Sequence, residues 1–452
     1  MPAAVTGQDR MAESPLTRGA LLAATGAKVG VNYLKHYARK AVRGEANAEE
    51  LHRANATEVY ATFSSLKGGP LKVAQMLSID QNLLPPAYAS LFAQAQYSAP
   101  PLSYPLVART FRREFGRNPL ELFDTFDPDA AHGASIGQVH LATKNGHRFA
   151  VKVQYPGVAE SLRSDLALVK PLALQMMGLE ERDVASFILE VETRLLEETD
   201  YLLELRRAQE IARACRHLSG LRFPRYYEEL SSKKVLTMDW MEGRTLDKFA
   251  DSEAPQDLRN RIGQILWDFY DFQMHQLRLF HADPHPGNFL VAEDTLTALD
   301  FGCTKQIDED FYRANFRFLD PDLLHDDEAL LAALEGLHVL QPEDGPEFRH
   351  AMLKVVRPSV ELLARPFRED VFDFGDPTFM RSIYALGEQS RTDPTLRRAR
   401  GARGSPHSIY VNRAYFGLYS LLSRLRSRVR TQTTRSPGWP TIEFIQEKVA
   451  EL

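Results

Sequence analysis

Residues 281–302 read HADPHPGNFLVAEDTLTALDFG. The stretch opens on His281, Ala282 and Asp283, places Asn288 five residues after Asp283, and closes on Asp300-Phe301-Gly302. Between these groups, NFLVA and LTALD are short apolar runs fit for two strands joined by a turn. A carboxylate that orients or deprotonates an attacking hydroxyl, followed by hard oxygen donors able to hold magnesium, is the equipment of phosphoryl transfer. Asp283 is the candidate for the first role, and Asn288 and Asp300 are the candidates for the second.

Protein kinases arrange these groups as H-R-D-x-x-x-x-N followed by D-F-G, and the surroundings fit that order. Upstream, 257–280 is predicted helical, with Leu258, Ile262, Ile265, Leu266, Phe269, Phe272 and Leu277 on one broad face. A kinase also needs a strand lysine for the α and β phosphates, and Lys152 within FAVKV meets that need. Asn145-Gly146 separates two alternating runs, which predicts an antiparallel hairpin over 138–154 with Lys152 on its second arm. An ammonium among apolar neighbours is costly unless paired. A predicted helix over 183–215 offers Glu190, Glu192, Glu197, Glu198 and Glu204 as partners, and periodicity does not choose among them. Short strands are expected near 223–227 and 235–239.

Where a glycine-rich phosphate loop would stand, residues 130–139 read AAHGASIGQV. Alanine and serine there restrict the approach of backbone N–H groups to phosphate. His281, Asp283 and His285 also make an H-x-D-x-H pattern of the kind that ligates zinc, but no further cluster nearby completes such a site.

The chain has 452 residues, with 55 Lys and Arg against 60 Asp and Glu, a net charge of −5 that disfavours a nucleic-acid partner. Apolar residues make up 44% and charged residues 25%, which excludes a disordered or fibrous protein. Cys215 and Cys303, the only cysteines, cannot build a disulfide framework and suit a reducing, cytoplasmic setting. The first 15 residues lack the pattern of a secretory leader, and the uncharged run 81–108 is broken by prolines, so no transmembrane helix is expected. From 17 to 44 the chain is cationic and amphipathic, with no acidic residue, which suits either an anionic membrane surface or a solvated helix on its own domain. The organisation read from these shifts is a polar tail and cationic helix over 1–48, a helical extension over 49–120, a β-rich N-lobe over 121–240 and a mainly helical C-lobe over 241–452.

With these residues in view, the chain resembles the UbiB-like atypical kinases, the ABC-one or AarF group tied to coenzyme Q metabolism, over about residues 60–430. Ser135-Ile136-Gly137-Gln138-Val139-His140 resembles that family's alanine-rich loop and its continuation. Lys152 within VKVQYPGV resembles its nucleotide lysine, and Glu198-Thr199-Asp200 followed by Glu204 its E-x-D signature. Lys72-Val73-Ala74-Gln75 resembles its K-x-G-Q signature. The resemblance implies an α+β, two-lobed protein-kinase-like fold whose N-terminal helical extension covers the active site. It implies Glu198 as the partner of Lys152, and a nucleotide site that includes Ala134, Ser135, Met238 and Trp240. Lys72, Gln75, Asp200 and Glu204 would form the regulatory cover. ATP and Mg²⁺ are the implied cofactors. The implied activity is that of an ATPase or a small-molecule or lipid kinase supporting ubiquinone or other isoprenoid-lipid metabolism, peripheral on a membrane and working with quinone-biosynthesis enzymes. An aminoglycoside- or choline-kinase-like phosphotransferase and a non-catalytic nucleotide-binding scaffold are the alternatives. The chain departs from the family at Ala74, where a glycine is usual, and at His132-Gly133, where two alanines are.

Overall fold

The computed structural model describes residues 48–66, 102–134, 136–177, 181–393 and 403–432, with single residues between 21 and 35. Lys72, Gln75 and Ser135 lie outside the described residues, as does most of the cationic 17–44 segment. The chain divides into two compact units, residues 1–205 with 225–240 and residues 206–224 with 241–452.

The first unit holds helices α1 (Ala48–Leu66) and α2 (Tyr104–Phe115), followed by strands β1 (Thr125–Phe126), β2 (His132–Ala134), β3 (Gly137–Lys144) and β4 (His147–Gln154). Helices α3 (Val158–Met177) and α4 (Glu181–Glu198) and strand β6 (Val235–Asp239) also lie in this unit; between α4 and β6 the chain forms α5 (Tyr201–Ala214), which begins in it, and β5 (Leu221–Arg222), which falls in the second. The sheet of this unit runs β1-β3-β4-β6, with β2 on β3, and every pairing is antiparallel. The predicted hairpin is present: Lys144 pairs with His147 across Asn145 (φ 51°) and Gly146 (φ 75°), the two positive-φ positions of a tight hairpin turn. Val107 and Phe111 of α2 pack with Phe123, Phe126, Phe149, Val151 and Val235 in a core where ring neighbours meet at 5.5–6.4 Å. Ahead of this core, Thr25, Lys28 and Asn32 bond to Thr62, Glu58 and Asn55 of α1 at 2.7, 3.1 and 2.8 Å, an antiparallel polar seam. At least one lysine of the cationic segment, Lys28, is therefore paired within its own unit.

The second unit, which includes β5, continues with β7 (Arg244–Thr245) and α6 (Gln256–Phe272). Strands β8 (Leu279–His281), β9 (Phe289–Ala292), β10 (Thr295–Ala298) and β11 (Thr304–Gln306) follow, and then a mainly helical run. That run includes α7 (Pro346–Leu363), strand β12 (Val371–Asp373), α8 (Pro377–Thr392), α9 (Pro406–Leu425) and β13 (Arg428–Arg430). Buried Trp267 of α6 packs against Phe367 and Phe374 at 5.5 and 5.9 Å. Helix α6 also serves as a partner for a strand. Gln256 donates to Arg426 O, Asn260 accepts from Arg428 N, and Gln264 both accepts from Arg430 N and donates to Arg430 O. Four helical residues advance about 6 Å and two strand residues about 6.8 Å, so the amides keep step with the strand.

Three sequence expectations are corrected. The helix expected over 183–215 is interrupted at Thr199-Asp200, because the Asp200 carboxylate caps α5 by accepting from Leu202 N and Leu203 N. The helix expected over 257–280 ends at Phe272, turns once through a π-type segment at Gln273–Leu277 and becomes strand at Leu279. The strand expected at 223–227 is reduced to β5 and a single bridge from Tyr226 to Met238. Among the described residues no helix is long and apolar enough to cross a membrane.

Candidate active site

In the first unit the site begins with Lys152, buried on β4 between Val139 of β3 and Leu236 of β6. Its Nζ donates to both carboxylate oxygens of Glu204, at 2.9 and 3.1 Å, and lies 5.1 Å over the Tyr201 ring. Both charges are buried, so each depends on the other. A bidentate partner is thus Glu204, one of the five glutamates that the helical pattern left open. The reason is the Asp200 cap: it ends α4 at Glu198 and restarts the helix, placing Glu204 in the first turn of α5. Gln154 Nε2 donates to Thr199 O at 2.9 Å and Tyr201 N to Lys233 O at 3.1 Å, so the interruption is fastened to the sheet. Gly137 matters in the same place. An added Cβ would sit 2.5 Å from Val153 O and 2.7 Å from Tyr201 Oη, so only glycine lets β3 pass there.

Ala134 ends β2 opposite Gly137, which makes the loop between them a two-residue connection. At the base of that loop, Gln138 is fully buried. Its Oε1 accepts from Leu102 N at 2.7 Å and its Nε2 donates to His140 Nε2 at 2.9 Å. His140 Nδ1 lies 2.8 Å from Asp127 O, an acceptor, so Nδ1 carries the proton and Nε2 accepts. Burial holds the pKa of His140 below its ordinary value. Met238 is buried on β6 opposite Ala150, and Trp240 is half-buried just beyond it.

In the second unit the loop after β8 is tied to the stretch after β10 by main-chain bonds. Ala282 N donates to Cys303 O at 2.9 Å, Leu299 N to Asn288 O at 3.0 Å, and His281 pairs with Thr304 across β8 and β11. Buried His281 spans the two segments, with Nε2 2.6 Å from Asp300 O and Nδ1 3.0 Å from Tyr270 Oη. A carbonyl can only accept, so Nε2 bears the hydrogen and Tyr270 donates to Nδ1. Burial lowers the His281 pKa and raises that of Tyr270, which keeps both groups neutral. Gln273 of the π turn accepts from His281 N at 3.0 Å and donates to Phe269 O at 2.9 Å, bracing the entry to the loop.

Within this frame, Asn288 Nδ2 donates to Asp283 O at 3.0 Å and Asp300 Oδ1 accepts from Gly302 N at 2.9 Å. Asp283, Asn288 and Asp300 are thereby held in one backbone network. An amide oxygen and a carboxylate are donors of the hard kind that magnesium takes, so Asn288 and Asp300 fit the metal role chemically. The H-x-D-x-H reading does not gain support: His285 Nδ1 accepts from Gly287 N, and no cluster of three His, Cys, Asp or Glu side chains is placed for a metal among the described residues. One neighbour was missed from sequence. Arg413 of α9 puts Nη2 2.5 Å from Asp283 Oδ1. It lies 130 positions away in an arginine-rich region, with no spacing signal linking the two.

A family model described as "ABC1 atypical kinase-like domain" matches residues 94–333, more than half of the chain. The rat mitochondrial atypical kinase COQ8B is 28% identical over 440 residues, covering 94% of this chain and 81% of that protein. The Dictyostelium discoideum probable serine/threonine-protein kinase abkA is 27% identical over 402 residues, covering 83% and 69%. Among solved structures, the Rv3197–erythromycin complex from Mycobacterium tuberculosis aligns with a TM-score of 0.57 at 25% identity, over 88% of this chain and 98% of that one. With its antiparallel amino-terminal sheet, its mainly helical second part and this match, the chain belongs to the ABC1 (UbiB/AarF) atypical kinase-like family.

Proposed function

We propose that the chain binds Mg·ATP and hydrolyses or transfers its γ-phosphate, as an ATPase or a small-molecule or lipid kinase. The observation that carries this reading is the single network binding Asp283, Asn288 and Asp300, the three groups that phosphoryl transfer requires. In this reading Lys152, steadied by Glu204, neutralises the α and β phosphates. Ala134 and Ser135 lie along the phosphate loop, and Met238 and Trp240 border the base. Asp283 orients the attacking oxygen, and Arg413 fixes the carboxylate that does so. Asn288 and Asp300 would hold magnesium, which supplies charge neutralisation at the phosphates when bound.

The reading includes the wider role expected of the family: support of ubiquinone or other isoprenoid-lipid metabolism, in contact with quinone-biosynthesis enzymes at an anionic membrane surface. The cationic 17–44 segment and the relatives' names as atypical mitochondrial kinases support it. Residues 1–48, the extension 49–120 with Lys72 and Gln75, and the lobes 121–240 and 241–452 are its proposed divisions. Asp200 and Glu204, assigned to the cover with Lys72 and Gln75, act here as a helix cap and a lysine partner. Phosphate release from Mg·ATP, with and without anionic liposomes, tests the activity beside Asp300→Asn. Turnover that disappears in the variant supports the assignment. Magnesium-dependent turnover unchanged in Asp300→Asn overturns it.

A further inference from the structure

Among the described residues strand β2 has one backbone neighbour, β3, and it is three residues long, so its ladder alone holds the phosphate loop weakly. A second contact comes from a side chain. The His132 imidazole lies over the Trp240 indole with ring centres 6.1 Å apart and planes inclined by 21°. Trp240 is itself fixed: its N donates to Arg148 O at 3.0 Å, and the Arg148 guanidinium carbon stands 5.5 Å from the centre of its ring. His132 and Trp240 belong to opposite ends of the order β2-β3-β4-β6, so their contact spans the sheet. His132 is exposed and Trp240 half-buried, so the rings meet at the surface and can part without opening the core.

We propose that His132 is a positioning residue for nucleotide. Its ring latches the base of the loop at 133–137 to Trp240 and so keeps that loop set for phosphate, where other kinases rely on glycine. The inference rests on the reading of this loop as the phosphate loop. An alanine at position 132 would keep the β2 backbone pairing and lose the latch. The neighbouring Gly133 has open space around it: an added Cβ meets nothing within 4 Å, so no close packing there duplicates the tether.

The test compares wild type, His132→Ala and His132→Phe for Mg·ADP affinity by calorimetry, together with thermal midpoint and tryptophan emission. A ring contact of this kind predicts that His132→Ala weakens binding about three- to tenfold, with an unchanged melting midpoint and restoration by phenylalanine. Emission should differ between wild type and His132→Ala, and the difference should vanish when both carry Trp240→Phe. Equal affinity of His132→Ala and wild type overturns the proposal, as does a His132→Phe variant no better than alanine. If wild type itself binds no nucleotide, the nucleotide reading falls and the loop's assigned ligand with it. Emission then judges the latch alone, and emission unaffected by His132→Ala overturns that too.

Discussion

Arg413 Nη2 stands 2.5 Å from Asp283 Oδ1, so the carboxylate proposed to orient the attacking oxygen is held by a guanidinium from a helix far along the chain. Both side chains are largely buried, which makes the pair a charge-assisted bond in a poorly solvated place. Such a bond fixes the carboxylate's direction. In the proposed mechanism Asp283 then acts chiefly by orientation.

Removing the guanidinium should therefore reduce turnover more than nucleotide binding. Hydrogen bonds to charged groups contribute about 1.5–3 kcal/mol, so Arg413→Ala should slow phosphate release about 10- to 100-fold. Mg·ADP affinity should change little. Lysine at 413 should rescue only in part, because it lacks the planar fork. Full turnover in Arg413→Ala would show that Asp283 needs no such support.

How Arg413 reaches Asp283 yields a second prediction. Gly417 lies one turn further along α9, and an added Cβ there would stand 2.1 Å from Pro284 Cγ in the loop that carries Asp283. Gly417→Ala must push helix and loop apart, at about 1–3 kcal/mol of stability. It should slow turnover as Arg413→Ala does, and combining the two should slow it little further, since both break one contact. Additive losses in the double variant would separate the two residues.

The parts legible in the sequence are those set by local chemistry. Asn145-Gly146 announces its hairpin because two successive positive-φ positions favour those residues. The spacing of Asp283, Asn288 and Asp300 was visible because one short segment supplies all three. The bidentate pairing of Glu204 with Lys152 was not visible, since five glutamates share a helical stretch and only the Asp200 cap divides it. The π turn was hidden for a related reason: Gln273–Leu277 continues the apolar spacing of α6 while the backbone has already left the α-helical path. Arg413 and the His132–Trp240 contact depend on long-range packing, which periodicity does not encode.

The Lys152–Glu204 pair predicts an asymmetry between single and double substitutions. Lys152→Met takes away the ammonium that donates to both Glu204 oxygens and should cost about 3–5 kcal/mol of stability. Lys152→Met combined with Glu204→Leu removes both charges and should recover most of that loss. Urea midpoints of the three variants check this. A double variant as unstable as the sum of the singles would mean that packing, not charge, governs the site.

Two buried histidines set the direction of the pH dependence of folding. Burial lowers the pKa of both His140 and His281 from the ordinary imidazole value of 6.5. Below pH 6.5 the unfolded chain takes up a proton at each position while the folded chain resists. The stability these groups contribute is therefore complete above pH 6.5 and is lost as pH falls toward their folded values. Each can contribute a slope of at most about 1.4 kcal/mol per pH unit. Urea midpoints should fall between pH 7 and 5.5, and His281→Gln, which cannot take up a proton, should flatten the decline. His281→Gln should also lower the midpoint at pH 7.5, because His281 bridges Tyr270 Oη and Asp300 O and glutamine does not reproduce the ring that spans both. An unchanged slope in His281→Gln would mean that this imidazole takes up its proton as readily in the folded protein as in the unfolded chain, which would overturn the inference from its burial.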